Sequence, residues 1–196
     1  MSENEWEQLF RQHSAYLDGH FSLSSGKHST GYLQCALILQ FPKIAAQLGE
    51  QLADALRRNG FRPEAVVSPA LGGLIIGHEV ARALGTRFLF TERTTGAFTL
   101  RRGFSLIPGE EVAVVEDVFT TGLSTRECVG VVQQSGGKVI CAASIIDRSG
   151  GQAEIGCPSF SLWHISLPVW SAEECPLCRQ NIPCIKPGSR TPVPPR

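Results

Sequence analysis

Glu116 and Asp117 stand at the end of an apolar run, Val112 to Val115, and lead into Thr120, Thr121, Gly122, Leu123 and Ser124. Two adjacent carboxylates can accept from the paired 2- and 3-hydroxyls of a ribose, or take a hydrated divalent cation. They cannot serve a phosphate, because like charges repel. The residues after them can. Thr120, Thr121, Ser124 and Thr125 bring hydroxyls, and Gly122 lets the main chain approach an anion. A helix starting near Ser124 or Thr125 would present unpaired N–H groups and a positive dipole end. A phosphate monoester beside a sugar diol uses both halves. The plainer reading is a buried strand whose acids cap the next turn, and the Thr-Thr-Gly run argues against it. The segment has no Gly-Lys-Thr or Gly-Lys-Ser and no Gly-x-Gly-x-x-Gly, so two other anion-binding motifs are excluded.

Three more places could contribute chemistry. Leu71, Gly72 and Gly73 lie in a second strand-to-helix loop, Ser68 to Gly77, whose amides could form a nest for a diphosphate. The alternative there is a tight turn that needs glycine for its dihedral angles alone. Arg93, Arg101 and Arg102 fall in a polar, glycine-containing segment, Thr91 to Gly109. They could stabilise negative charge on a departing diphosphate, or simply be solvated. Arg148 follows Asp147 at a strand end, where it could clasp a carboxylate bidentately or pair with its neighbour.

These residues need a frame, and the apolar spacing supplies one. Trp6, Leu9, Phe10, His13 and Leu17 make one helical stripe over Glu5–Leu17. His20 to Leu39 reads as a strand, a polar turn and a second strand. Pro42 opens a helix whose Ile44, Leu48, Leu52 and Leu56 are four apart, up to a stop at Asn59-Gly60. Strands follow at Glu64–Ser68, Arg87–Phe90, Val112 onward and Lys138–Ile146, with a helix at Leu74–Leu84 ended by Gly85. Between the second and third of these strands the long polar segment suggests a mobile β-hairpin over a site, with Thr99–Phe104 as one arm. Alternating strands and helices predict a mostly parallel sheet flanked by helices, an α/β fold with ligands at the carboxyl ends of its strands.

The 196 residues suffice for one domain, divided as a helix and hood (1–40), an α/β core (41–155) and a C-terminal extension (156–196). Lys plus Arg and Asp plus Glu both total 18, so no basic field announces nucleic acid or a membrane surface. The N-terminus is acidic and amphipathic rather than a leader, and the expected location is the cytoplasm. The end, Lys186 to Arg196, is proline-rich and expected to be poorly ordered.

The run from Val112 to Ser124 resembles the phosphoribosyl pyrophosphate (PRPP) signature of the type I phosphoribosyltransferases, with Leu123 where a smaller residue is usual. That resemblance implies a PRPP site formed by Glu116, Asp117, Val118, Phe119 and Thr120 to Ser124, with Leu71, Gly72 and Gly73 on the diphosphate. It implies Mg2+ held mainly through PRPP, with Asp117 as a candidate protein ligand, and catalysis by Asp117 and the loop arginines Arg93, Arg101 and Arg102. The hood segment Phe21–Leu39 is similar to that of the orotate enzymes across Leu23, Ser25, Gly26, Lys27 and Tyr32, and Asp147-Arg148 matches the same group. On that likeness Lys27, Tyr32, Thr120 and Arg148 contact orotate, and the protein is a homodimer. The chain departs from the familiar orotate enzymes in three places: no lysine in Ser68–Gly77, none from Thr91 to Gly109, and Ser24 where many members have lysine. Arginine does not replace lysine as a proton donor, so the loop would act by charge. Two rival readings are a purine phosphoribosyltransferase and a non-catalytic regulator that senses PRPP.

Of seven cysteines, Cys35, Cys128 and Cys141 sit in apolar segments as small hydrophobes. Cys175 and Cys178 have zinc-knuckle spacing, with Cys184 nearby and Cys157 or His164 as a further ligand. Structural zinc stands here beside free thiols in a reducing compartment.

Overall fold

A computed structural model describes residues 3–23 and 25–187. Ser24 and the proline-rich tail from 188 onward lie outside the described residues. The chain divides into two compact units, one formed by Cys35–Ile165 and the other by the two terminal stretches, up to Gln34 and from Ser166.

In the larger unit a short helix α2 (Ala36–Leu39) precedes α3 (Pro42–Arg58), which buries Ala45, Leu48, Leu52 and Leu56 along one stripe. Pro42 occupies its first turn, where a missing N–H costs nothing, and Gly60 turns the chain out at φ 83°. Next come β3 (Ala65–Pro69), α4 (Gly73–Leu84) and β4 (Arg87–Thr94). Thr95 and Gly96, both at positive φ, make the tight turn into β5 (Ala97–Leu100), as the twist of a two-residue hairpin requires. The hairpin is therefore made by extending β4, and its second arm is Ala97–Leu100 rather than Thr99–Phe104. Arg101 to Phe104 is instead a second turn, closed by the Phe104 amide on the Arg101 carbonyl at 2.9 Å.

The unit continues with β6 (Glu111–Phe119), α5 (Leu123–Gln134), β7 (Lys138–Asp147) and β8 (Ser159–His164). The sheet order is β5-β4-β3-β6-β7-β8, parallel throughout except for β5. Val66, Val67, Val112 to Val115, Ala142, Ala143 and Ile145 are wholly buried, which is why these central strands read as continuous apolar runs. From β3 the chain moves to one side to form β4 and then crosses to the other side to form β6. The order reverses between β3 and β6, and the crevice beyond their carboxyl ends is the switch point where such sheets bind ligands.

The smaller unit holds α1 (Glu3–Gln12), β1 (Tyr16–Ser22), β2 (His28–Leu33), β9 (Val169–Trp170) and α6 (Pro176–Arg179), with β1-β2-β9 as an antiparallel sheet. Helix α1 stops five residues before Leu17. Ser14 takes a left-handed φ of 54°, its amide reaches the Arg11 carbonyl at 3.0 Å, and the Ala15 amide reaches the Phe10 carbonyl at 2.8 Å. This is a Schellman ending without its usual glycine. The C-terminal stretch also differs from a separate extension: β8 joins the large sheet, and the chain from Ser166 belongs with the N-terminal hairpin.

Candidate active site

The acidic pair occupies the carboxyl-terminal part of β6, with Glu116 only 7% exposed. Burial raises both carboxyls above the usual carboxylate range, and the neighbouring charge of Asp117 raises Glu116 further, to about 9. The pair therefore shares a proton: Glu116 keeps it and donates to Asp117. Asp117 also accepts from the Val118 amide at 2.9 Å. Among the described residues no lysine or arginine lies close enough to shift either carboxyl. Two buried carboxyls, sharing one proton in the absence of ligand, suit a diol, which donates two hydrogen bonds once that proton has left, or a hard divalent ion such as Mg2+.

Beyond β6, Gly122 has φ 74°, and a Cβ there would stand 2.8 Å from Ile155 Cδ1, so glycine is required twice over. It ends the Thr120–Gly122 loop and caps the start of α5, whose first amide, that of Leu123, donates to the Thr121 hydroxyl at 3.4 Å. Thr120, Thr121, Leu123 and Ser124 are exposed, and Thr125 is buried. Arg126, which sequence reasoning passed over, donates to the Thr121 carbonyl at 3.4 Å and to the Glu154 carbonyl, tying the loop to the segment after β7. Its position one turn into the helix was the available signal.

The loop after β3 packs directly on the acidic pair. A Cβ on Gly72 would lie 2.7 Å from Asp117 Oδ1, and one on Gly73 would lie 2.9 Å from the Val115 carbonyl oxygen and 3.3 Å from Glu116 Oε1. The glycines are thus needed for close approach rather than for turning, since Gly72 has an ordinary helical φ of −56°. Leu71 is 82% exposed at the loop's crest, and the Ala70–Leu71 peptide is cis. Both loops and the acidic pair line one open cleft of about 300 Å³, with Phe98 of β5 as an apolar wall that the sequence did not single out.

The three loop arginines are distributed unequally. Arg93 pairs with Glu127 of α5, donates to the Gly96 carbonyl at 2.5 Å and stacks 4.2 Å from the centre of the Phe98 ring. Arg102 grips Glu92 bidentately at 2.9 and 2.7 Å, which holds that carboxyl below its usual range. Arg101 is exposed and forms no ion pair among the described residues. Arg148 is half-buried just past β7, its amide on the Phe119 carbonyl at 2.8 Å. Asp147 is engaged otherwise, accepting from the Ser149 amide and hydroxyl at 2.7 and 2.6 Å, with His164 Nδ1 at 3.6 Å. Within the smaller unit, Lys27 is exposed in the β1–β2 turn and Tyr32 packs its ring 5.8 Å from Phe21.

The cysteines fall into two sets. Cys35, Cys128 and Cys141 are buried, and burial raises their thiols. Cys157 packs against the core of the larger unit, whereas Cys175 and Cys178 belong to the smaller one. Their neighbours are His20 and His28 instead. His164 likewise belongs to the larger unit.

No family model matches the chain. The orotate phosphoribosyltransferase of Heliobacterium modesticaldum is 48% identical over 191 residues, covering 97% of this chain and 100% of that protein. That of Thermotoga maritima is 50% identical over 184 residues, covering 94% and 97%. Among solved structures, the orotate phosphoribosyltransferase of Mycobacterium tuberculosis in complex with PRPP matches at TM-score 0.63 and 25% identity, covering 80% of this chain and 94% of that one. The Aeropyrum pernix enzyme matches at TM-score 0.63 and 26% identity, covering 81% and 92%. A relative half identical along nearly its whole length identifies the chain, with its cleft at the switch point of an α/β sheet, as a member of the orotate phosphoribosyltransferase family.

Proposed function

We propose that the protein transfers the 5-phosphoribosyl group of PRPP to orotate, releasing pyrophosphate and forming orotidine 5-monophosphate. The observation that carries this reading is the abutment of the two loops on one buried acidic pair, with Gly72 against Asp117. An anion cradle on either side of a diol acceptor matches a sugar with phosphate groups at both ends.

In this reading Glu116 and Asp117 accept from the ribose hydroxyls, and the pair's shared proton leaves as they take up the substrate. Val118, Phe119 and Thr120 to Ser124 hold the 5-phosphate at the start of α5. Leu71, Gly72 and Gly73 offer main-chain amides to the diphosphate. Bond cleavage builds positive charge on the ribose and negative charge on the leaving diphosphate. The buried carboxylates favour the first, and the loop arginines favour the second. Of the three loop arginines, Arg101 is the one that forms no ion pair among the described residues. Mg2+ held with the diphosphate would neutralise part of its charge, and Asp117 is the residue that would help hold it. Within the larger unit Thr120 and Arg148 are assigned to orotate, Arg148 because a guanidinium suits the carboxylate that distinguishes this base.

The test is base choice in the Arg148→Ala variant. The reading expects loss of pyrophosphate release with orotate, by on the order of 100-fold, with PRPP binding retained. Undiminished use of orotate by the variant would remove Arg148 from the site. Pyrophosphate release from the unaltered protein with adenine, guanine or hypoxanthine, and none with orotate, would overturn the assignment of the base.

A further inference from the structure

We infer that the smaller unit carries a structural zinc ion bound by His20, His28, Cys175 and Cys178. One ligand atom from each side chain lies within 4.8 Å of every other. The individual spacings are those of tetrahedron edges. Cys175 Sγ and Cys178 Sγ stand 3.4 and 3.7 Å from His20 Nε2, Cys178 Sγ stands 3.3 Å from His28 Nδ1, and the two imidazole nitrogens are 2.9 Å apart. Zinc bonds of about 2.3 Å to sulfur and about 2.0–2.1 Å to nitrogen, at tetrahedral angles, put sulfur about 3.5 Å from nitrogen and the nitrogens about 3.3 Å apart. Four of the six edges are thus within a few tenths of an ångström of these values, and the other two lie within 4.8 Å.

The orientation of the rings points the same way. His20 Nδ1 lies 2.8 Å from the Ile182 carbonyl, which can only accept, so that nitrogen carries the proton and Nε2 turns a lone pair toward the cluster. His20 is 2% exposed and Cys175 wholly buried, so these polar groups face one another away from water. Four protein ligands with two thiolates and two neutral imidazoles leave no open position, which is the pattern of a structural site. The soft sulfurs and tetrahedral geometry select zinc over Mg2+. Binding displaces one proton from each thiol and leaves a neutral complex. Cys184 approaches the opposite nitrogen of His28, Nε2, at 4.0 Å, and so lies behind the ring rather than at the shared point.

Sequence position explains what the ion would do. His20 lies within β1, His28 begins β2, and both cysteines come from the far end of the chain, held nearby by Ile185, which exchanges main-chain bonds of 2.8 Å with His20 and Ser22. A unit of this size falls below the about 70–80 residues at which a hydrophobic core alone is dependable, and a metal staple is one remedy.

The measurement is metal content of the full protein purified without chelator, by inductively coupled plasma mass spectrometry, followed by reconstitution of the stripped protein with Co2+. The site predicts one zinc per chain, and a cobalt spectrum with a thiolate charge-transfer band and intense tetrahedral visible bands. Cys178→Ser and His28→Asn should lose the metal, whereas Cys157→Ser and Cys184→Ser should keep it. No zinc in the unaltered protein and no tetrahedral cobalt spectrum would overturn the inference. So would a mass 2 Da below the reduced value, showing Cys175 and Cys178 joined as a disulfide. Neither readout depends on turnover of orotate.

Discussion

Glu116 and Asp117 sit side by side in sequence but face different demands in the protein without ligands. Glu116 is protonated in the folded state across neutral pH, whereas an unfolded chain ionises it near pH 4.5. Its elevated carboxyl therefore leaves stability intact below about pH 4.5, and stability falls as the pH rises from there toward 9. Glu116→Gln removes that loss. It should raise stability at pH 7.5 by on the order of 1–3 kcal/mol and change little near pH 4.5, as thermal melts at the two pH values would reveal. The gain should cost function, because a carboxamide is a poorer acceptor for the sugar; an unchanged KM for PRPP would contradict the role given to Glu116. Among the arginines, Arg101→Ala should lower kcat by on the order of 100-fold, and Arg102→Ala, already paired with Glu92, by about 10-fold or less. Steady-state kinetics of the two variants decides between them, and a larger effect at Arg102 would mean that its ion pair opens during turnover. At this scale the sequence was most readable where the chemistry is contiguous. Glu116 through Ser124 form one run from the end of β6 to the start of α5, so the sequence presents them together. His20 and His28 were invisible as partners of Cys175 because strand pairing and a long chain return bring them together.

Elements were legible in proportion to how completely their signals are local. Helix α3 has proline at its start, a buried residue every fourth position and glycine at its exit, and it forms where that pattern says. Helix α1 overran because serine, not glycine, takes the left-handed turn at position 14. Strand β8 was missed because it is an edge strand, half-exposed along most of its length, and lacks the continuous apolar run of its buried neighbours. Some packing constraints appear only in three dimensions. Gly49 of α3 meets α4 so closely that a Cβ would stand 2.6 Å from Glu79 Cβ and 2.7 Å from its main-chain carbon. Gly49→Ala should therefore destabilise the protein by about 1–3 kcal/mol despite the better helix propensity of alanine, a result that chemical denaturation can test. Gly72→Ala should act differently. Its added methyl would press on Asp117, raising KM for PRPP about 10-fold or more while shifting the melting temperature little, since the loop is exposed.

At the level of the whole molecule, the switch point between β3 and β6 gathers the loops after both strands and the acidic pair, and the alternation of strands and helices announced that architecture. The division into units was not legible. The terminal stretches share a unit through β2–β9 pairing, a contact between residues about 140 positions apart that no local pattern encodes. The family carries an expectation of a homodimer in which a loop serves the neighbouring site. If Arg101 acts across that interface, mixing inactive Arg101→Ala with inactive Asp117→Asn should restore about a quarter of the unaltered activity by random reassortment of subunits. No recovery would place Arg101 on its own subunit's reaction or remove the dimer. The central claim is the reaction itself, and the absorbance of orotate measures it directly. With the protein, PRPP and Mg2+ present, the account predicts a fall in that absorbance which stops when either PRPP or Mg2+ is withheld and is accompanied by equimolar pyrophosphate. An unchanging orotate spectrum under conditions where the protein demonstrably binds PRPP would contradict it.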